Sequence, residues 1–202
     1  MISHSEKFIY LDVCRTGGHS IRQVLSENFE VELIEGRRGD RRFTRHHTLM
    51  NLSAHRPYCT EVPLDKLDEY FKFSFVRNPF DRFASVYAWY GRNSDLSFED
   101  FVFKFLVYEP EADGHAIRFI PQVYWMRLEP FGELCFDFLG RFEKLQEDFN
   151  LLAEKLGMPL RDLPVISRLK GDTDYRSFYN SDTRRVVENY YQEDLESFGY
   201  DF

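Results

Sequence analysis

Residues 8–25 read FIYLDVCRTGGHSIRQVL. Phe8 to Val13 is a short apolar run, Thr16-Gly17-Gly18 breaks it, and Ile21, Val24 and Leu25 then recur at helical spacing. The stretch predicts strand, glycine turn and helix. Two glycines let backbone N–H groups turn inward, and a helix N-terminus adds about half a positive charge, so such a turn suits a phosphate or sulfate. Arg15, Thr16 and Ser20 add side-chain donors. A lone TGG is also compatible with an ordinary glycine turn. It is not a Walker loop, because no GxxxxGK[ST] is present and the turn holds no lysine.

The same grammar recurs downstream. FKFSFV at 71–76 reads as a strand, stopped by Asn78-Pro79, with Pro79 suited to the first position of a helix. Arg77 falls at the strand end and Ser85 two turns into that helix. A guanidinium offers a planar fork to phosphate, which Ser85 or Arg82 can supplement; the other reading is a helix start with Asp81 pairing an arginine. VELI at 31–34 and LCFDFL at 134–139 read as further strands. Ser97 with Asp100 forms a capping-box pattern, and Phe142, Leu145, Phe149, Leu152 and Leu156 step by three and four until Gly157 and Pro159 end the helix. A last helix is expected over 182–198. Alternating strands and helices predict an α/β fold with a mainly parallel central sheet flanked by helices, with ligands beyond the carboxyl ends of the strands.

Composition bounds the function. The 202 residues suit one domain spanning 1–202, and 43% hydrophobic residues with 21 Phe and 12 Tyr supply a core. A net charge of -8 argues against nucleic acid or an acidic membrane as partner, so any bound anion needs a local basic site. Cys14, Cys59 and Cys135 are odd in number and widely spaced, which fits a reducing compartment and neither a disulfide scaffold nor zinc. No apolar run approaches the roughly 18 residues of a membrane span, and the N-terminus has no signal-peptide stretch, so a cytoplasmic protein is expected. No metal-ligand spacing is present, so no metal is expected.

Taken together, CRTGGHS at 14–20 is similar to the PKTGGTS loop of the carbohydrate-type sulfotransferases, and FVRNPFDRFASVY at 75–87 closely resembles their second signature. LGRFEKLQEDF at 139–149 and the ending DTRRVVENYYQEDLESFGYDF resemble further family segments, in the family's order. The resemblance implies a P-loop-like three-layer fold. It implies 3'-phosphoadenosine 5'-phosphosulfate (PAPS) as co-substrate, 3'-phosphoadenosine 5'-phosphate (PAP) as product, and a glycan or other small hydroxylated acceptor. It places Arg15, Thr16, Gly17, Gly18, His19 and Ser20 on the phosphosulfate, and Arg77 and Ser85 on the 3'-phosphate. Cys14, Arg15 and His19 stand where the family pattern has proline, lysine and threonine. Arginine keeps the charge on a wider, planar donor. A catalytically weakened sulfonucleotide-binding protein is therefore the neighbouring function class; a P-loop-type kinase is disfavoured by the absent Walker lysine.

FTRHHTLMNL at 43–52 is similar to the family's KHAT stretch, which sets His46 as the general base, with His47 one register away. His55 and His115 read as structural. Arg37, Arg38, Arg41, Arg42 and Arg45, opposed by Asp40, form either a patch for an anionic glycan or a solvated loop. Arg168-Leu169-Lys170-Gly171 precedes Tyr175, and Lys170 is placed over the nucleotide by its position before the last helix.

Overall fold

The structure, a computed structural model, describes residues 1–32, 62–90, 95–108, 118–128, 132–164 and 174–202. Backbone contacts group the chain into two compact units, Met1–Val76 with Gln122–Ile166, and Arg77–Pro121 with Ser167–Phe202.

The first unit holds a four-stranded sheet in the order β1 (Ile2–Ser3), β2 (Phe8–Leu11), β3 (Phe71–Val76), β4 (Phe138–Arg141). β1 runs antiparallel to β2; β2, β3 and β4 are mutually parallel, with Tyr10 opposite Phe73 and Phe73 opposite Phe138. Every residue of β2 is buried, as in strands covered on both faces, which is why FIYL reads as a continuous apolar run and not an alternating one. Phe8, Tyr10, Phe73 and Phe75 share a core with Ile21, Val24 and Leu25 of α1 (Gly18–Asn28). Phe149, Leu152 and Ala153 of α4 (Leu145–Lys155) join the same core. The Tyr10 and Phe73 rings stack across the strands at 5.2 Å.

Two strand expectations shift. The segment expected as a strand over 134–139 joins the sheet only at Phe138 and continues to Arg141. Leu134 instead makes an isolated antiparallel bridge with Arg127, and the Asp137 carboxylate accepts the Lys72 amide at 2.7 Å while pairing Lys72 Nζ at 3.1 Å. That carboxylate takes the ladder donor at the edge, and regular pairing begins one residue later. Of the strand expected at 31–34, Glu32 forms a single bridge with Ile2; residues 33 and 34 lie outside the described ones.

The second unit contains α2 (Pro79–Tyr90), α3 (Phe98–Phe103), α5 (Ser181–Tyr190) and α6 (Gln192–Phe198). Phe80, Phe83, Phe101, Phe105, Phe119, Val187 and Tyr191 form its core. Ser97 caps α3 as its spacing predicts, accepting the Asp100 amide at 3.1 Å. The last helix is divided in two at Tyr191 (φ -106°, ψ 20°), whose buried ring sends its hydroxyl to the Phe119 carbonyl at 2.7 Å. The fold class is α/β with a mainly parallel sheet. Among the described residues, no helix is long and apolar enough to cross a membrane.

Gly140 shows how tightly β3 and β4 meet: a Cβ there would lie 2.2 Å from the Phe75 ring. Gly140→Ala should cost about 1–3 kcal/mol through overpacking, read as a lower urea midpoint. An unchanged midpoint would show that Phe75 can turn away at no cost.

Candidate functional site

β2 runs into the glycine turn through a tight backbone contact, Val13 N–H to the Leu11 carbonyl at 3.0 Å. Thr16 is fully buried and donates its hydroxyl to the Val13 carbonyl at 2.8 Å, which closes the turn from inside. Gly17 has φ 88° and caps α1, its carbonyl accepting the Ser20 and Ile21 amides at 3.1 and 3.3 Å. Both glycines are required sterically as well. A Cβ on Gly17 would lie 2.7 Å from Leu145 Cδ2, and one on Gly18 would lie 1.8 Å from Asp12 Oδ1.

α1 opens with no side-chain cap and no acidic residue in its first turn. The first amides of α1 are therefore left without a side-chain acceptor from the capping position. Asp12 lies against this turn but is buried, and Arg22 Nη1 pairs with its Oδ2. Tyr10 points its hydroxyl at Asp12 Oδ1 from 3.5 Å, and burial pushes that phenol well above its ordinary pKa, so it stays a donor. Neither Asp12 nor Arg22 is singled out by sequence reasoning. The signal was present: one acid inside the apolar run FIYLDV, with an arginine on the first turns of the next helix.

Of the predicted loop residues, His19 is exposed, and Arg15 and Ser20 are half-buried. Ser20 donates its hydroxyl to the Pro164 carbonyl at 2.5 Å. Both hydroxyls of the loop are thus engaged within the unit. Arg15 is in the left-handed region at φ 70°, a conformation that costs a residue with a Cβ about 1 kcal/mol or more.

In the second unit Arg77 follows the last residue of β3 and precedes α2. Its Nε and Nη2 form a two-point pair with the Asp81 carboxylate at 2.7 and 2.8 Å, the intramolecular pairing that the sequence left open. Asp81 and Ser85 are one turn apart on α2. Ser85 is 2% exposed. Arg82, named with Ser85 as a supplementary phosphate donor, is buried and turned inward. Its Nη1 and Nη2 donate to the Arg118 and Ile120 carbonyls at 3.2 and 2.9 Å, and its guanidinium lies 5.2 Å from the Tyr191 ring centre. It is part of the core.

His46, His47, the arginines at 37–45, His55, Cys59, His115 and Lys170 lie outside the described residues. Among the described residues, no group of three or more His, Cys, Asp or Glu could hold a metal. A cleft of about 490 Å³ in the second unit includes Phe80 and Arg184 but neither Arg77 nor Ser85. It also presents Glu188 and Glu196, which do not suit an anion.

A model of the sulfotransferase family matches residues 1–201. The chain belongs to the sulfotransferase family. Family membership gives this sulfotransferase its activity class, sulfuryl transfer, and implies a sulfonucleotide donor and an acceptor. An uncharacterized protein of Archaeoglobus fulgidus is 35% identical over 112 residues, covering 54% of the sulfotransferase and 85% of the relative. No solved structure matches the sulfotransferase.

The strain at Arg15 can be separated from its charge. Arg15→Gly and Arg15→Ala both remove the guanidinium, but only glycine relaxes at φ 70°. The glycine variant should be the more stable by about 1 kcal/mol in denaturant titration. Equal stabilities would mean that the left-handed conformation stores no strain.

Proposed function

We propose that residues 1–202 act as a single sulfotransferase domain that takes the sulfuryl group from PAPS and delivers it to a hydroxyl of a glycan or another small hydroxylated acceptor. The observation that supports this most is the opening of α1, a glycine turn with no side-chain cap, no first-turn acid, and Arg15 in a left-handed conformation beside it. A strained basic residue at an anion-binding turn is the kind of feature retained for function. Three widely spaced cysteines suit work in the cytoplasm.

In this reading the α1 amides and Arg15 hold the phosphosulfate, together with Thr16, Gly17, Gly18, His19 and Ser20. Because the Thr16 and Ser20 hydroxyls already donate within the fold, they contribute chiefly by shaping the turn. Arg77 and Ser85 hold the 3'-phosphate, and Lys170 covers the nucleotide. Arg15 neutralises charge building on the bridging oxygen as the sulfur–oxygen bond to the phosphate breaks, and His46 takes the proton of the acceptor hydroxyl as the new sulfur–oxygen bond forms. PAP leaves with the electron pair of the broken bond. This chemistry rests on position and charge, with no step assigned to a metal.

Two experiments test the reading. PAP should raise the melting temperature while ATP at the same concentration does so far less, because Arg77 and Ser85 read a 3'-phosphate that ATP lacks; Arg77→Ala should remove most of the difference. Equal stabilisation by the two nucleotides counts against PAPS as the donor.

The base is tested separately. His46→Ala should lower turnover about a hundred-fold while PAP binding is retained. With a single general base the wild-type rate should rise with pH through one group and then level, a rise that the variant lacks. If His47→Ala shows this behaviour and His46→Ala does not, the base is His47.

A further inference from the structure

The turn that bears Arg77 is held by the last residues of the described chain. Asn78 uses both ends of its side-chain amide. Its Oδ1 accepts the Phe80 amide at 3.0 Å inside the turn, and its Nδ2 donates to the Asp201 carbonyl at 2.7 Å. The same Nδ2 lies 3.4 Å from the Tyr175 hydroxyl. The Asn78 carbonyl also receives the first amide of the helix ladder, Arg82 N–H, at 2.8 Å. Rotation of Asn78 therefore moves the α2 start and the residue before it together.

Asp201 is exposed, and its neighbour Phe202 is half-buried. The Phe202 ring meets Phe80 edge-on at 4.9 Å and Tyr179 at 5.5 Å, and the Arg184 guanidinium lies 4.2 Å from its centre. Tyr179 completes the clamp by donating its hydroxyl to the Phe80 carbonyl at 2.8 Å, and burial holds that phenol far above its ordinary pKa, so the bond persists at any working pH. Phe80 is thus held through its ring by Phe202 and through its carbonyl by Tyr179, and Asn78 is held through its amide by Asp201.

We infer that Phe202 and Asn78 are positioning residues for the 3'-phosphate grip: the Phe202 anchor presents the Asp201 carbonyl to Asn78 and so fixes the angle at which Arg77 is offered to the ligand. The inference rests on the donor reading above. A two-point guanidinium contact is sensitive to small displacements, and a misplacement of roughly 1 Å at such a contact can cost up to a hundred-fold. The loss should fall on the nucleotide that has a 3'-phosphate.

Calorimetric titration of the full chain with PAP and with AMP separates positioning from general stability, since the two ligands differ only in that phosphate. The wild type should prefer PAP. Phe202→Ala should reduce the PAP-to-AMP affinity ratio by about tenfold, with AMP affinity within about twofold of wild type. Asn78→Ser, which keeps an acceptor for the Phe80 amide but cannot reach Asp201, should reduce the ratio alike. The double variant should lose no more than either single one, because both act through one contact. Phe202→Leu, a milder change, should give an intermediate ratio and guards against a variant that fails to fold. A wild-type preference retained in these variants, or equal losses for both nucleotides, overturns the inference while leaving the donor reading standing. A wild type that binds PAP and AMP equally overturns the donor reading, and the inference falls with it.

Discussion

Asp12, the residue after β2, has a carboxylate that is 3% exposed, and burial of an unmatched ionised acid would cost more than the surrounding packing returns. Arg22 matches it from α1. The pair therefore ties the strand to the helix across the glycine turn, and removing one partner of such a buried pair typically costs about 3–5 kcal/mol. The rest of the turn follows. The carboxylate occupies the space of a Gly18 side chain, Leu145 occupies that of Gly17, and the chain between Val13 and Gly17 must pass Arg15 through a left-handed conformation. The charge of Asp12 is neutralised by Arg22, so the end of α1 keeps its positive character.

Anion recognition by a chain of net charge -8 has to be local, and in the proposed reading the two basic positions would achieve this differently. At the loop the positive potential comes largely from backbone, with one guanidinium added. At the Arg77 turn the guanidinium is paired with Asp81, which reduces its net attraction for a phosphate but fixes its plane. A preoriented fork loses less rotamer freedom on binding than a mobile one, so the carboxylate exchanges some long-range attraction for geometry. Such an arrangement favours discrimination over raw affinity.

The strand, turn and helix at 8–25 were legible because burial, glycine punctuation and helical spacing agree there. The same agreement placed β3, α2, the Ser97 cap and the end of α4 near Gly157. Legibility failed where a single side chain outweighed a local pattern. Asp137 reaches the Lys72 amide and moves the start of β4, and Tyr191 reaches Phe119 and divides the last helix, although the apolar spacing continues through it. Arg82 illustrates a different limit. Spacing puts it one residue from Asp81, but only the fold shows that it turns toward the Arg118 and Ile120 carbonyls. His46 and Lys170 rest on the sequence alone.

The hydroxyls carry the same lesson into the chemistry. A Thr-Gly-Gly-x-Ser pattern reads as a set of side-chain donors aimed at an anion, but Thr16 donates to Val13 and Ser20 to Pro164. An alcohol has one proton to donate, so a hydroxyl that closes the turn cannot also donate to a ligand without breaking that contact. Their value to the site is rigidity: a turn fixed from within holds its amides in place before the ligand arrives and avoids reorganisation as charge develops. In the proposed reading the charge-following donor is Arg15, which stands in the left-handed region beside the turn. Its side chain is longer and more planar than the lysine of the family pattern, and the left-handed backbone sets where it starts. On that proposal, catalytic strength depends on the path of one guanidinium more than on the number of hydroxyls around it.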